Sequence, residues 1–242
     1  MKKLLLALML VPLAAFASSE QKYDAAPVNQ HDKISLQRGV RIFVNYCVTC
    51  HNAAYMRYNR LQELGLTEQQ IKDNLMFAVA KRVGDTMTVA MDKSDAKDWF
   101  GAPPPDLSLV ARVRGADWLY TYLRSFYRDN STHTGWNNTV FPLVGMPHVL
   151  HELQGVQVLK TEEKTDSQGH KHEEHKLMLE KPGTLTPQQY DMLVADLVNY
   201  LVYMAEPARN FRVQLGMFVL IFLGILFVLT YALKKEFWKD VH

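Results

Sequence analysis

Cys47-Val48-Thr49-Cys50-His51 closes a helical pattern in which Leu36, Val40 and Phe43-Val44 recur at helical spacing. Cysteines three apart lie on one face of a helical turn, so both sulfurs can form thioethers with the two vinyl groups of one haem. The adjacent His51 then places an imidazole under the iron, and C-x-x-C-H reads as c-type haem attachment. Three other uses of two cysteines fit less well. A redox C-x-x-C wants a thioredoxin-like βαβ setting, and no such pattern surrounds these residues. A structural zinc site needs four Cys/His ligands at set spacing, and the histidines here are scattered. A disulfide between residues three apart is strained. The chain has only 2 cysteines, so it has one attachment site and one covalent haem c.

The two ends set the cellular context. Lys2-Lys3, the apolar run Leu4 to Phe16 and the small-x-small Ala15-Phe16-Ala17 read as a secretory signal peptide, residues 1–17. The run is about half of the roughly 20 residues that a membrane span needs. Val213 to Leu233 gives 21 residues without a charge. At 1.5 Å per residue they cover about 31 Å, the thickness of a bilayer's hydrocarbon core. Arg209 and Arg212 flank one side; Lys234, Lys235, Lys239 and the aromatics Tyr231, Phe237 and Trp238 flank the other. The reading is an exported domain over 18–208, an anchor over 209–234 and a cytoplasmic tail over 235–242. The formal net charge of +2 falls to −1 for residues 4–233 once the leader and tail lysines are set aside. A nucleic-acid binder would need a basic patch or stripe, and no such partner is expected.

Between the ends the pattern is mainly α with long loops. Residues 18–33 are polar and read as an extended arm. Thr67 with Gln70 predicts a capping box and a helix running to about Val83, stopped by Gly84. Gly101 and Pro103-Pro104-Pro105 make 84–108 a long loop. Ser108 to Arg128 reads as helices broken near Gly115, and 129–148 as a second long loop. Val156–Glu162 and Lys176–Glu180 partly alternate around a polar centre, which predicts a β-hairpin inserted over 155–183. His170-Lys171-His172 and His175 then form its solvated tip, a better reading than a metal site. Thr186-Pro187 opens a last helix to about Met204, and Pro207 breaks it before the anchor.

The residue opposite His51 is less constrained. Of 11 methionines, Met1 and Met9 leave with the leader, Met217 lies in the anchor and Met56 is too near His51 to reach the other haem face. Met76, Met192 and Met204 fit helix patterns as packing residues. Met87, Met91, Met146 and Met178 remain, with His133, His148 and His151 as alternatives. Gly145-Met146-Pro147 favours Met146, because Gly permits close backbone approach and Pro fixes the exit.

Taken together, these residues resemble the cytochrome c1 family, the haem c subunit of the ubiquinol–cytochrome c reductase (cytochrome bc1) complex, in its bacterial form. The resemblance rests on Cys47–His51 followed by Tyr55 and Tyr58, and on Pro104-Pro105-Asp106-Leu107-Ser108 with Arg112 and Arg114. It also rests on Phe141-Pro142 leading to Gly145-Met146, and on Met204-Ala205-Glu206-Pro207 with Arg209 before the anchor. It implies a mainly α, cytochrome c-like haem domain with one C-terminal transmembrane helix. It implies His51 and Met146 as the iron's ligands, Arg114 paired with a haem propionate, and Arg112 and Trp118 close to the haem. It implies electron transfer from a Rieske iron–sulfur protein to a cytochrome c, with cytochrome b as a further subunit of a dimeric complex. The place is a bacterial cytoplasmic membrane, with the haem domain in the periplasm and no independent catalysis by this subunit. The segment Gly155 to Gly183 departs from mitochondrial members. Two other classes stay open: a tethered electron shuttle or terminal-oxidase cytochrome, and a haem sensor or peroxidase with an exchangeable iron site.

Overall fold

A computed structural model describes residues 23–165 and 171–240; the leader and part of the expected hairpin tip lie outside the described residues. Helix α1 (Lys33–Tyr46) starts at Asp32, whose carboxylate accepts from the Ser35 N–H. Helix α7 (Pro187–Ala205) starts with a Thr186/Gln189 capping box and Pro at its first position. The two cross closely and form the spine of the domain. Leu36, Val40 and Phe43 of α1 bury against Leu197, Val198 and Leu201 of α7 in one core. The Phe43 and Tyr200 rings meet at 5.4 Å. The Arg38 guanidinium grips the Asp196 carboxylate through two nitrogens, one at 2.8 Å.

The other elements wrap this pair. Strand β1 (Ala53–Arg57) pairs antiparallel with β2 (Thr86–Met87). A 3₁₀ segment over Tyr58–Leu64 follows β1, and the expected capping box starts α2 (Glu68–Leu75). Short α4 (Val110–Val113) and α5 (Ala116–Arg124) are separated at Gly115, where φ is 88°, as the sequence predicts. Tyr190 of α7 donates to the Leu123 carbonyl at 2.8 Å and ties α5 to the spine. Residues 23–32 form the expected extended arm, held by N–H donation from Asp24 to Thr121 Oγ1 and from Ala26 to Asp117 Oδ1. Strand β3 (Phe126–Arg128) pairs with β4 (Trp136–Asn138). After the short α6 (His151–Gln154), β5 (Gly155–Thr165) and β6 (Lys171–Pro182) form the predicted hairpin, longer at both ends than the alternation suggests. Gln157 fixes it to the domain by donating to the Arg124 and Phe126 carbonyls.

Several expectations are corrected. Residues 126–128, expected at the end of a helix, form β3 instead, and β4 lies within the expected loop 129–148. The helix expected to reach Val83 stops at Leu75. Downstream, the Asp85 carboxylate accepts the Lys81 and Arg82 N–H groups, and the Val83 carbonyl accepts from Asn59, so this stretch bonds locally and to β1's side instead. The expected loop 84–108 contains α3 (Lys93–Phe100), capped by Asp92 and ended by left-handed Gly101. Only Ala96 in it is buried, so the sequence carries no apolar stripe to reveal it.

Helix α8 (Arg209–Phe237) has 29 residues, none buried. Its length of about 43 Å and apolar surface suffice to cross a membrane. The hydroxyl of Thr230 donates to the Leu226 carbonyl, so its polar group is satisfied within the helix.

The crossing at Gly39 depends on the missing side chain. A Cβ there would lie 2.1 Å from the Asp196 carbonyl oxygen and 2.7 Å from Tyr200 Cβ. Alanine would gain about 1 kcal/mol in helix propensity. The opposing atom is backbone and cannot swing aside, so overpacking at about 1–3 kcal/mol or more wins. Gly39→Ala should lower the thermal midpoint of the haem-loaded protein; an unchanged midpoint would show that the helices can separate at no cost.

Candidate haem site

Helix α1 ends at Tyr46, and the chain makes one more helical turn. Cys50 N–H and His51 N–H both donate to the Cys47 carbonyl, at 3.0 and 2.8 Å. The turn brings Cys47, Cys50 and His51 to one wall of a cavity with an empty volume of about 1420 Å³, its open mouth included. Both cysteines are free thiols. Burial pushes the Cys47 thiol up to about 12 and also raises that of Cys50.

His51 is oriented from behind. Its Nδ1 lies 2.8 Å from the Pro105 carbonyl. A carbonyl only accepts, so Nδ1 carries the proton and Nε2 keeps a lone pair for a metal. Burial holds the imidazole below its usual range, opposed by the Pro105 bond and the Asp106 charge. The segment carrying Pro105 is stitched to the residues just after His51. Asp106 accepts the Ala54 and Ser108 N–H groups, Ser108 Oγ accepts that of Tyr55, and Leu107 N–H donates to the Asn52 carbonyl. The resemblance names these residues, but their role as the support of His51 is visible only in the fold.

The opposite side comes from the second long loop and α5. Met146 lines the cavity beside Val144 and Gly145. The Tyr122 hydroxyl donates to its sulfur at 3.4 Å. A Cβ on Gly145 would fall 2.7 Å from the Phe100 carbonyl, so this glycine lets the loop pack under the end of α3. Among the described residues lining the cavity, His51 and Met146 are the only histidine and methionine. Met87 is buried elsewhere with the Tyr200 hydroxyl on its sulfur, Met178 is on the hairpin, and His148 is buried against Phe126 with rings 4.9 Å apart. Leu119, Leu123, Leu197 and Leu201 make the floor.

Trp118 and Arg114 also line the cavity. Trp118 stacks on Tyr122 at 4.7 Å, and the Arg114 guanidinium lies 5.0 Å from the Trp118 ring and 5.6 Å from that of Phe141. Arg114 is exposed at the mouth rather than buried. Arg112 is not in the lining. It turns to Glu206, 3.8 Å away, which also takes Arg212 of α8 at 2.5 Å. The fold thus places Arg112 at the junction between domain and anchor.

Two thiols, one imidazole nitrogen, one thioether sulfur and apolar walls converge on one space, and this donor set suits a covalently held haem. Tyr122 lines the same space and is a residue that the sequence reading missed; an aromatic residue in a helix is explained equally well by packing. Burial raises the Tyr122 phenol, against the lowering effect of Arg114, so its hydroxyl remains a donor throughout the neutral range. A raised phenol pKa makes stability fall only as pH rises through the unfolded value of about 10. Tyr122→Phe should therefore cost about 0.5–1.5 kcal/mol in denaturant titration, equally at about pH 6 and about pH 8. A cost that appears at only one of these would mean the phenol titrates in that range.

The Cytochrome C1 family profile matches residues 23–172 and 181–241. The interruption falls within β6, where the hairpin departs from the family pattern. The ammonia monooxygenase gamma subunit of Nitrosomonas europaea is 51% identical over 242 residues, spanning 100% of this chain and 98% of that protein. Cytochrome c1 of Allochromatium vinosum is 49% identical over 246 residues, spanning 100% of both. Cytochrome c1 of Rhodospirillum rubrum is 30% identical over 241 residues, spanning 88% of this chain and 84% of that one. Covalent haem c and a membrane anchor are family properties, matched here by the Cys47/Cys50 pair and the one described helix able to span a membrane. The chain belongs to the cytochrome c1 family of electron-transfer subunits.

Proposed function

We propose that this chain is the haem c subunit of a quinol–cytochrome c reductase in a bacterial cytoplasmic membrane. Cys47 and Cys50 would hold the haem covalently, and His51 Nε2 and Met146 Sδ would be the ligands the chain offers to its iron. The partners are cytochrome b and a Rieske iron–sulfur protein as donor, with a cytochrome c as acceptor, in a dimeric complex. The observation that supports this best is the convergence of His51, Met146 and both free thiols on one apolar cavity. The haem supplies a one-electron iron couple when bound.

The chain's own residues set the conditions for that couple. The Pro105 carbonyl holds His51 in one tautomer and orientation. The Tyr122 hydroxyl occupies one lone pair of the Met146 sulfur and leaves the other for iron. A neutral thioether and apolar walls favour the ferrous state and keep the potential high. Arg114 at the mouth suits a propionate, for which a planar guanidinium is a better match than an ammonium. Arg112, paired with Glu206, braces the domain on its anchor. The N-terminal leader, removed at about residue 17, puts the haem domain in the periplasm and the tail after α8 in the cytoplasm.

The relative named ammonia monooxygenase gamma subunit supports a second reading, in which the same haem domain serves a monooxygenase. Mild detergent extraction separates the two. Co-purification of a cytochrome b and an iron–sulfur subunit is the expected result; monooxygenase subunits without them would favour the second reading.

The ligand assignment has its own test. Met146→Leu keeps most of the volume, and such swaps cost less than about 1.5 kcal/mol. The loss should appear at the iron. The expected changes are a fall in midpoint potential of about 100 mV or more, new carbon monoxide binding, and loss of the weak far-red sulfur-to-iron band of the oxidised protein. Survival of both band and potential would remove Met146 as ligand.

A further inference from the structure

The loop between β4 and Met146 has a backbone that its own sequence does not favour. Leu143 sits at φ 59°, in the left-handed region where a leucine is strained, and its side chain is 81% exposed. Packing does not offset that conformation. Two adjacent asparagines of β4 do the holding. Asn137 Oδ1 accepts the Leu143 N–H at 2.8 Å and the Asn138 N–H at 2.8 Å. The Asn137 amide donates to Asp129 Oδ2 at 2.9 Å, which braces it from outside. Asn138 Oδ1 accepts the Val140 and Phe141 N–H groups at 2.8 and 3.2 Å. Its amide donates to the Tyr122 carbonyl at 2.8 Å. Both side chains are buried, at 5% and 1% exposure.

These bonds link the Met146 loop to the residue whose hydroxyl meets the Met146 sulfur. Asn138 joins the end of α5, whose Tyr122 hydroxyl reaches that sulfur, to the loop that carries it. It also fixes Phe141, whose ring faces Arg114 and Trp118 at the cavity mouth. A planar amide offers an acceptor and two donors at once, which neither an apolar residue nor a hydroxyl provides.

The geometry points to a positioning role for Asn137 and Asn138: they lock the 139–146 loop so that Met146 is presented to the iron and excludes competing ligands. The inference rests on Met146 as axial ligand. A merely structural pair would alter stability; a positioning pair alters how easily another ligand replaces Met146.

The test is imidazole binding to the oxidised, haem-loaded full-length protein, followed together with the far-red band. Asn137→Leu and Asn138→Leu each remove buried bonds to the loop, and imidazole should bind about tenfold more tightly or better. Asn138→Ser keeps a weaker local acceptor for the Val140 N–H, so its affinity should lie between wild type and Asn138→Leu. Asn199→Leu is the control. Asn199 is equally buried and bonded to Asn29 and Ser35, away from the loop, and its loss should leave imidazole affinity unchanged. Wild-type affinity in the loop variants, or an equal gain in the Asn199→Leu control, overturns the proposal. If the leucine variants load no haem, Asn138→Ser against the control decides: a gain above the control supports the role, and none overturns it. Met146→Leu in the same titration separates the two levels. If it fails to tighten imidazole binding, the ligand assignment falls and this role with it. If it tightens binding while the asparagine variants match wild type, only the positioning role falls.

Discussion

The hydrogen bond from His51 Nδ1 to the Pro105 carbonyl joins two segments that must meet for the cavity to exist. One is the turn that ends α1 and carries both cysteines. The other is the proline-rich stretch that closes the cavity's side. Asp106 and Ser108 hold that stretch in place by accepting the N–H groups of Ala54 and Tyr55, three and four residues after the histidine. A free imidazole could rotate or exchange tautomers; this one presents Nε2 to the cavity in a single orientation. The turn itself is placed by the α1/α7 crossing, which Gly39 allows to be close.

The two sides of the cavity are built differently. The cysteine side is local: a helix end, one turn and a hydrogen-bonded brace. The methionine side is a loop without regular structure of its own, held by side chains of β4 and by the end of α5. Loops carry function when a rigid scaffold positions them. Here the loop N–H groups donate mostly to asparagine side-chain oxygens, which satisfies buried backbone donors that a regular strand would otherwise pair. The α4–α5 region serves two tasks. Arg114, Trp118 and Tyr122 face the cavity, while Arg112, two residues before Arg114, faces Glu206 at the anchor.

Much of this was legible in the chain. The C-x-x-C-H spacing, the two capping boxes, the break at Gly115, the hairpin and the anchor each depend on local chemistry that a sequence displays. Gly145 and Pro147 single out Met146 in the sequence, and the fold places Met146 in the cavity lining and Met87 and His148 outside it. Helix α3 was hidden because it buries only Ala96, and a helix without an apolar stripe leaves no periodicity. The stretch after α2 differs in the opposite sense: its helical pattern continues past Leu75, but local bonding by Asp85 outcompetes propensity. Asn137 and Asn138 read as loop residues, because their partners are distant backbone groups that no spacing rule identifies. The Glu206 partner of Arg112, far along the chain, is hidden from the sequence for the same reason.

Membership of the cytochrome c1 family makes the chain an electron-transfer subunit of a redox complex, and the cavity gives that role a physical form. In the proposed arrangement an iron held between the fixed His51 imidazole and the Met146 thioether would change ligands little between its two oxidation states, which suits rapid transfer. The most direct measurement of this account is X-ray absorption at the iron edge of the purified wild-type protein in both oxidation states. One sulfur among six ligand atoms, retained on reduction, is the expected result. Six nitrogen or oxygen ligands, or an open position in either state, would contradict it.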